Sequence, residues 1–256
     1  MIVVFFFLLA FNVVWALGTL RSGRTDLVQP NKDIVALSGK LLYAVKTEAP
    51  TDSLEKALAQ LSTEDLTITL SNDTARKTFW INIYNAYYQI FASREKKTKP
   101  HIFTDKAIHI GGLELSLDDV EHGILRKYRW KLSLGYLPQF WPGKNIKRLA
   151  VTDIDYRIHF ALNCGAKSCP PIAFYDYDKL EEQLEMAASS FLLQETEVDN
   201  ANKTVHITKI MQWFRADFGG KKGIKKILKN HLDQDFSDYA IEFKDYDWSE
   251  QLGNYQ

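Results

Sequence analysis

A chain of 256 residues, 46% hydrophobic and 13% aromatic, is long enough to bury one substantial core. Its 32 basic and 32 acidic residues cancel, so no global field draws it to nucleic acid, and nucleic acid is not predicted as a partner. It carries no internal repeat, phosphate loop or nucleotide fingerprint.

Ile2 to Leu17 is apolar except for Asn12, and Val14 and Ala16 are the small residues a signal peptidase reads. Residues 1–16 are therefore predicted to be a signal peptide, with export as the consequence. No Lys or Arg precedes the segment while Arg21, Arg24 and Lys32 follow it. An uncleaved anchor reaching Leu20 is thus the alternative, and this segment the only predicted contact with a membrane.

Residues 17–72 are predicted as a helical region. Ile34, Leu37, Leu41, Leu42 and Val45 recur at helical spacing and Pro50 ends the run. A second helix starts at Asp52 or Ser53 and carries Leu54, Ala57, Leu58 and Leu61 on one face. From Asp73 to Ser93 the apolar residues surround the helix instead of forming a stripe, which predicts a central, buried element. Asn82 and Asn85 lie three apart on it, and buried amides must find partners, either bracing loops or lining a site.

Ala107 to Leu115 alternates around Gly111-Gly112, the pattern of a tight hairpin. A helix follows at Ser116, with Asp119 completing a capping box, and Asp118, His122 and Arg126 share one of its faces. Trp130 to Gly143 reads as an irregular loop able to cover a cleft, with Trp141 as a lid or a core cover. Ile158 to Leu162 reads as a half-buried strand that ends in a Cys-Gly turn and the stiff Pro170-Pro171 exit. Beyond it the pattern predicts a helix over Leu180 to Leu192, a strand at Val205 to Ile207 and a helical turn at Ile210 to Phe214. A basic amphipathic helix over Lys221 to Leu232 and a strand at Ala240 to Phe243 complete the order. The lysine face of that helix reads as solvated, because Asp233, Asp235 and Asp238 follow at once.

The stretch RIHFALNCGAKSCPP, Arg157 to Pro171, holds both cysteines and one of the six histidines. A cysteine is a nucleophile only as thiolate and needs a histidine, cation or helix N-terminus beside it. Cys164 is the predicted nucleophile and His122 the preferred base, with His159 the second imidazole and Asp118 and Asp119, or Glu121, holding the tautomer. Asn85 or an amide near Gly165 would stabilise the oxyanion. Arg126, Asn82 and Ser168 are assigned to a small-molecule or peptide-like substrate, and no cofactor or resident metal is required. The reaction so described is that of a cysteine hydrolase or acyl transferase acting on an amide or ester. One alternative is a non-catalytic binding or structural domain in which Cys164 and Cys169 are bridged or buried. Another is a zinc site at His159, Cys164 and Cys169.

Three separated motifs, FWINIYNAYY (Phe79 to Tyr88), LSLDDVEHGILR (Leu115 to Arg126) and DYRIHFALNCGAKSCPP (Asp155 to Pro171), together resemble the domain of unknown function 547 family. The resemblance runs from about Lys77 to Phe218. It implies an α+β domain of the kind found in exported bacterial proteins and in eukaryotic ones, and it implies no established reaction. Tyr156 stands where the family's Asp-Pro-Arg opening would have proline, which touches only the bend before the strand. Combined with the elements above, the predicted fold is a helix-rich single α+β domain with a small, mainly antiparallel sheet, residues 73–256 packing with 17–72 as one unit.

Overall fold

In the computed structural model, residues 30–256 are described. The predicted signal peptide over 1–16 and its anchor alternative lie outside them. Among the described residues no helix is long and apolar enough to cross a membrane.

Helix α1 (Lys32–Lys46) is capped by Asn31, whose side chain accepts from the Asp33 and Ile34 amides. It is followed by α2 (Asp52–Gln60) and by α3 (Thr63–Thr69), a short helix the periodicity had not suggested, started by a Ser62/Asp65 capping box. Helix α4 (Asp73–Gln89) continues into a π-helical turn, Ile90–Arg94, and is buried on nearly every side from Ala75 to Gln89. Helix α1 lies along its length, and α2 and α3 pack on α1. After α5 (His101–Thr104), strands β1 (Ile108–Ile110) and β2 (Leu113–Leu115) form the predicted hairpin, with Ile108 opposite Leu115 and Ile110 opposite Leu113.

The Ser116/Asp119 capping box is present: the Ser116 amide donates to Asp119 Oδ2 and the Asp119 amide to Ser116 Oγ. The element it opens is a π-helix, Asp119–Leu125, not a regular α-helix. Helix α6 (Lys144–Leu149) packs on it. The predicted strand over Ile158 to Leu162 is instead a 3₁₀ turn, Tyr156–Phe160, begun by Asp155, whose carboxylate accepts from the Arg157 amide. Ile158, His159 and Phe160 are all buried, so the alternation of residue types did not correspond to alternating burial. Short apolar runs carry that ambiguity.

Helix α7 (Leu180–Glu195) leads to a three-stranded sheet of β3 (Glu197–Asp199), β4 (Thr204–Ile207) and β5 (Ala240–Phe243). Its order is β3-β4-β5, the first pair antiparallel and the second parallel. Between β4 and β5 lie α8 (Ile210–Trp213) and the amphipathic α9 (Gly220–Leu232). Buried residues form two clusters, one around α4 and one joining Phe160, α7, the larger sheet and α9. Helices with two small sheets, mainly antiparallel, make the fold α+β.

Candidate functional site

The two clusters meet at a cavity of about 190 Å³. Tyr84 of α4, Glu121 and His122 of the π-helix and Leu162 line it from one side; Ile210, Trp213 and Phe214 close it from the other. His159 reaches it from the 3₁₀ turn, both cysteines from the segment that follows, and Tyr246 and Trp248 from the C-terminal stretch. Pockets form preferentially at such seams, where neither core can close over the other. In a π-helix each amide bonds five residues back, as the Arg126 amide does to the Glu121 carbonyl at 2.9 Å. The widened turn directs the adjacent Glu121 and His122 into the same hollow.

Beneath the cavity floor runs a chain of buried charges. Arg126 is fully buried; its Nε donates to Asp217 Oδ2 at 2.6 Å and its Nη1 to His122 Nδ1 at 2.8 Å. A guanidinium can only donate, so His122 Nδ1 is an acceptor and the proton of the neutral ring sits on Nε2. Burial first, and Arg126 second, hold the His122 pKa down at about 3. His159 Nε2 donates to Asp217 Oδ2 at 2.9 Å, which leaves Nδ1 as the basic nitrogen of that ring. Burial lowers the His159 pKa despite Asp217. Burial works against the Asp217 charge too, but the hydrogen bonds from His159 and Arg126 outweigh it and the carboxyl stays below its ordinary range. Phe214 stacks on His159 with centroids 4.0 Å apart, and the Arg126 guanidinium lies over the same ring. Glu121 accepts from the Tyr84 hydroxyl at 3.2 Å, and burial raises its pKa.

Cys164 and Cys169 are bonded to one another, and no cysteine is free. The Tyr246 hydroxyl lies 3.2 Å from the Cys164 sulfur and 3.0 Å from that of Cys169, which also accepts from the Cys164 amide at 3.0 Å. Gly165 follows at φ +67°, where a Cβ would overlap the Tyr88 ring, so the turn out of Cys164 requires glycine.

Residues 68–192 match the model of a family described as "Protein of unknown function, DUF547". The chain resembles the DUF547 family. The match takes in α4, the π-helix and the disulfide, and it ends before Asp217 and Tyr246, so the DUF547 segment supplies one wall of the cavity and the rest of the chain the other. No curated protein and no solved structure matches.

Of the predicted site residues, Cys164, His122, His159 and Glu121 come together at the cavity. In the bridged state Cys164 has no thiolate, and His122 cannot be the base, because Arg126 occupies its accepting nitrogen. Asn85 is no oxyanion donor: it is buried, its Nδ2 donates to the Ala161 carbonyl and its Oδ1 accepts from the Asn163 amide. Asn82 likewise braces a loop, holding the Tyr175 amide and carbonyl. Arg126 is sealed from any substrate, and Ser168 points to the backbone, accepting from the Asp247 amide. Bridged sulfurs are not thiolate ligands, and no group of three or more His, Cys, Asp or Glu side chains placed for a metal occurs among the described residues. Asp217 was missed altogether. Its only local signal is an acid set among aromatics in the run Trp213-Phe214-Arg215-Ala216-Asp217-Phe218.

Proposed function

We propose that the cavity is the active site of a cysteine hydrolase or acyl transferase whose nucleophile is stored as a disulfide. The observation that carries this reading is the Asp217–His159 hydrogen bond, which holds one imidazole by its Nε2 among the residues lining the cavity that Cys164 also lines. A small thiol or dithiol opens the bridge by exchange, becoming oxidised to its own disulfide and leaving thiols on Cys164 and Cys169. Attack falls on Cys164, the less buried of the two cysteines. Cys169 leaves as the thiolate, supported by the Cys164 amide and the Tyr246 hydroxyl.

In the reduced protein His159 Nδ1 takes the Cys164 proton, the thiolate attacks an ester or amide carbonyl carbon, and the oxyanion meets the His122 Nε2 proton. His159 returns its proton to the leaving alcohol or amine, and water or a second acceptor then releases the acyl group from sulfur. Phe103, Leu162, Ile210 and Trp213 favour a small apolar acyl group. Export through the 1–16 segment belongs to the same reading, since an oxidising compartment preserves a bridge.

Mass spectrometry after mild reduction tests it. Cys164 is expected to form an acyl adduct with an activated ester and to react with iodoacetamide below pH 7, both lost in His159→Ala. A reduced protein whose Cys164 reacts like an ordinary thiol, with or without His159, refutes it. The bridge itself favours a second reading, a non-catalytic binding domain with a disulfide wall, and that negative result is what it predicts.

A further inference from the structure

No residue of the loop between Trp130 and Gly143 lines the cavity. Trp141 is 94% exposed, Phe140 81% and Leu132 74%, with Trp130, Tyr136 and Leu137 also on the surface. So many large apolar side chains on one short segment exceed the scatter of single residues expected on any surface. They are held out by an ordered scaffold. The Trp130 amide donates to the Leu137 carbonyl, the Gln139 amide to that of Tyr128, and the Ala216 amide to that of Leu134.

Along the sequence the charge of this stretch is one-sided, although the chain as a whole is neutral. Between Glu121 and Asp153 no acidic residue occurs, while Lys127, Arg129, Lys131, Lys144, Lys147 and Arg148 flank the aromatic tip. Lys131 is held by Asp118 and Arg148 by Glu64; Lys144 and Lys147 are exposed on α6.

We propose that this loop is a docking surface for an anionic phospholipid bilayer, with Phe140, Trp141 and Leu132 entering the interface and the lysines of α6 facing the headgroups. Tryptophan and tyrosine favour the headgroup level of a membrane, and basic residues beside an apolar patch bind anionic lipid. A protein partner would be the weaker match, because lysine is depleted and not enriched in protein interfaces. The contact is separate from any the N-terminal segment makes, and it does not depend on the chemistry of the cavity.

The test uses the full chain with vesicles of phosphatidylcholine alone or mixed with phosphatidylserine, a part of the lipid carrying bromine on its acyl chains. Trp141 fluorescence is expected to be quenched on the anionic vesicles. The Trp141 part of the quenching, read as the difference between the parent chain and Trp141→Phe so that Trp15 and Trp130 cancel, should be present on the anionic vesicles and fall to the phosphatidylcholine level in Lys144→Glu/Lys147→Glu. Phe140→Ser/Trp141→Ser, both surface changes, should lower the loop's affinity by roughly tenfold or more, read as the lipid concentration needed to shield residual loop lysines from acylation. Quenching in Trp141→Phe equal to that of the parent chain, or none with anionic lipid, overturns the proposal. So does concentration-dependent self-association abolished by Phe140→Ser/Trp141→Ser without vesicle contact, which would give the patch to a second copy of the chain.

Discussion

Burial lowers the pKa of both cavity histidines, and at His122 the Arg126 guanidinium lowers it further, from the ordinary 6.5 to about 3. In the unfolded chain His122 takes up its proton near pH 6.5; in the folded protein it does not until about pH 3. Between those values the unfolded state binds more protons, so the stability linked to this ring is complete above pH 6.5 and is lost as the pH falls through the window. His122→Gln is therefore expected to flatten the fall of the urea midpoint between pH 6.5 and 4; parallel curves for the two proteins would contradict the assignment. Asp217 carries a second prediction. It neutralises a guanidinium with no exposure to solvent, and removing one partner of a buried pair typically costs about 3–5 kcal/mol because the other charge stays buried. Asp217→Ala should lose stability on that scale in urea unfolding. Arg126→Met/Asp217→Leu, which removes both charges, should recover much of it, and a single variant as stable as the parent would show the pair to be idle.

At the scale of elements, the turn beginning at Trp130 is seated on the charge chain by Gly135. This residue has φ +85°, and a Cβ there would overlap Asp217 Oδ1 and come within 2.9 Å of Arg126 Nη2. Gly135→Ala must strain the backbone and crowd the Arg126–Asp217 pair, so a loss of about 1–3 kcal/mol is expected by thermal or urea unfolding. A neutral effect would mean that the loop seat yields. Elements whose cause is local could be read from the letters alone: the Ser116/Asp119 box, the Gly111-Gly112 hairpin, and α4, whose all-round apolarity announced its place at the centre. The Ile158 to Leu162 segment could not, because five residues of mixed polarity suit a strand or a turn equally, and the choice was made by Asp155 capping its start. The convergence of Cys164, His122, His159 and Glu121 followed from motif grouping. The roles within it depended on hydrogen bonds spanning 58 and 91 residues, from His159 and Arg126 to Asp217, and no spacing rule reaches that far.

For the molecule as a whole, the question that bears on the proposed chemistry is whether the fold survives opening of the disulfide. Cys164 and Cys169 are five positions apart, so the bridge closes a very small ring and removes little freedom from the unfolded chain, about 2 kcal/mol on the loop-entropy model. The two cores do not rely on it. Phe79, Trp80 and Phe91 in one and Phe160, Phe218 and Phe236 in the other are almost wholly buried, and the Arg126–Asp217 pair joins the clusters independently of sulfur. The Asn85 and Asn163 side chains hold the ends of the turn as well, Asn163 Nδ2 donating to the Pro170 carbonyl at 2.7 Å and Asn163 Oδ1 accepting from the Gly165 amide at 2.9 Å. The reduced protein, or Cys164→Ser/Cys169→Ser, should accordingly remain folded with a single cooperative transition lowered by about 2 kcal/mol, and with its near-ultraviolet circular dichroism retained. Loss of the near-ultraviolet signal on reduction would make the bridge a structural staple. It would leave the cavity without a folded thiol state in which any nucleophile could act.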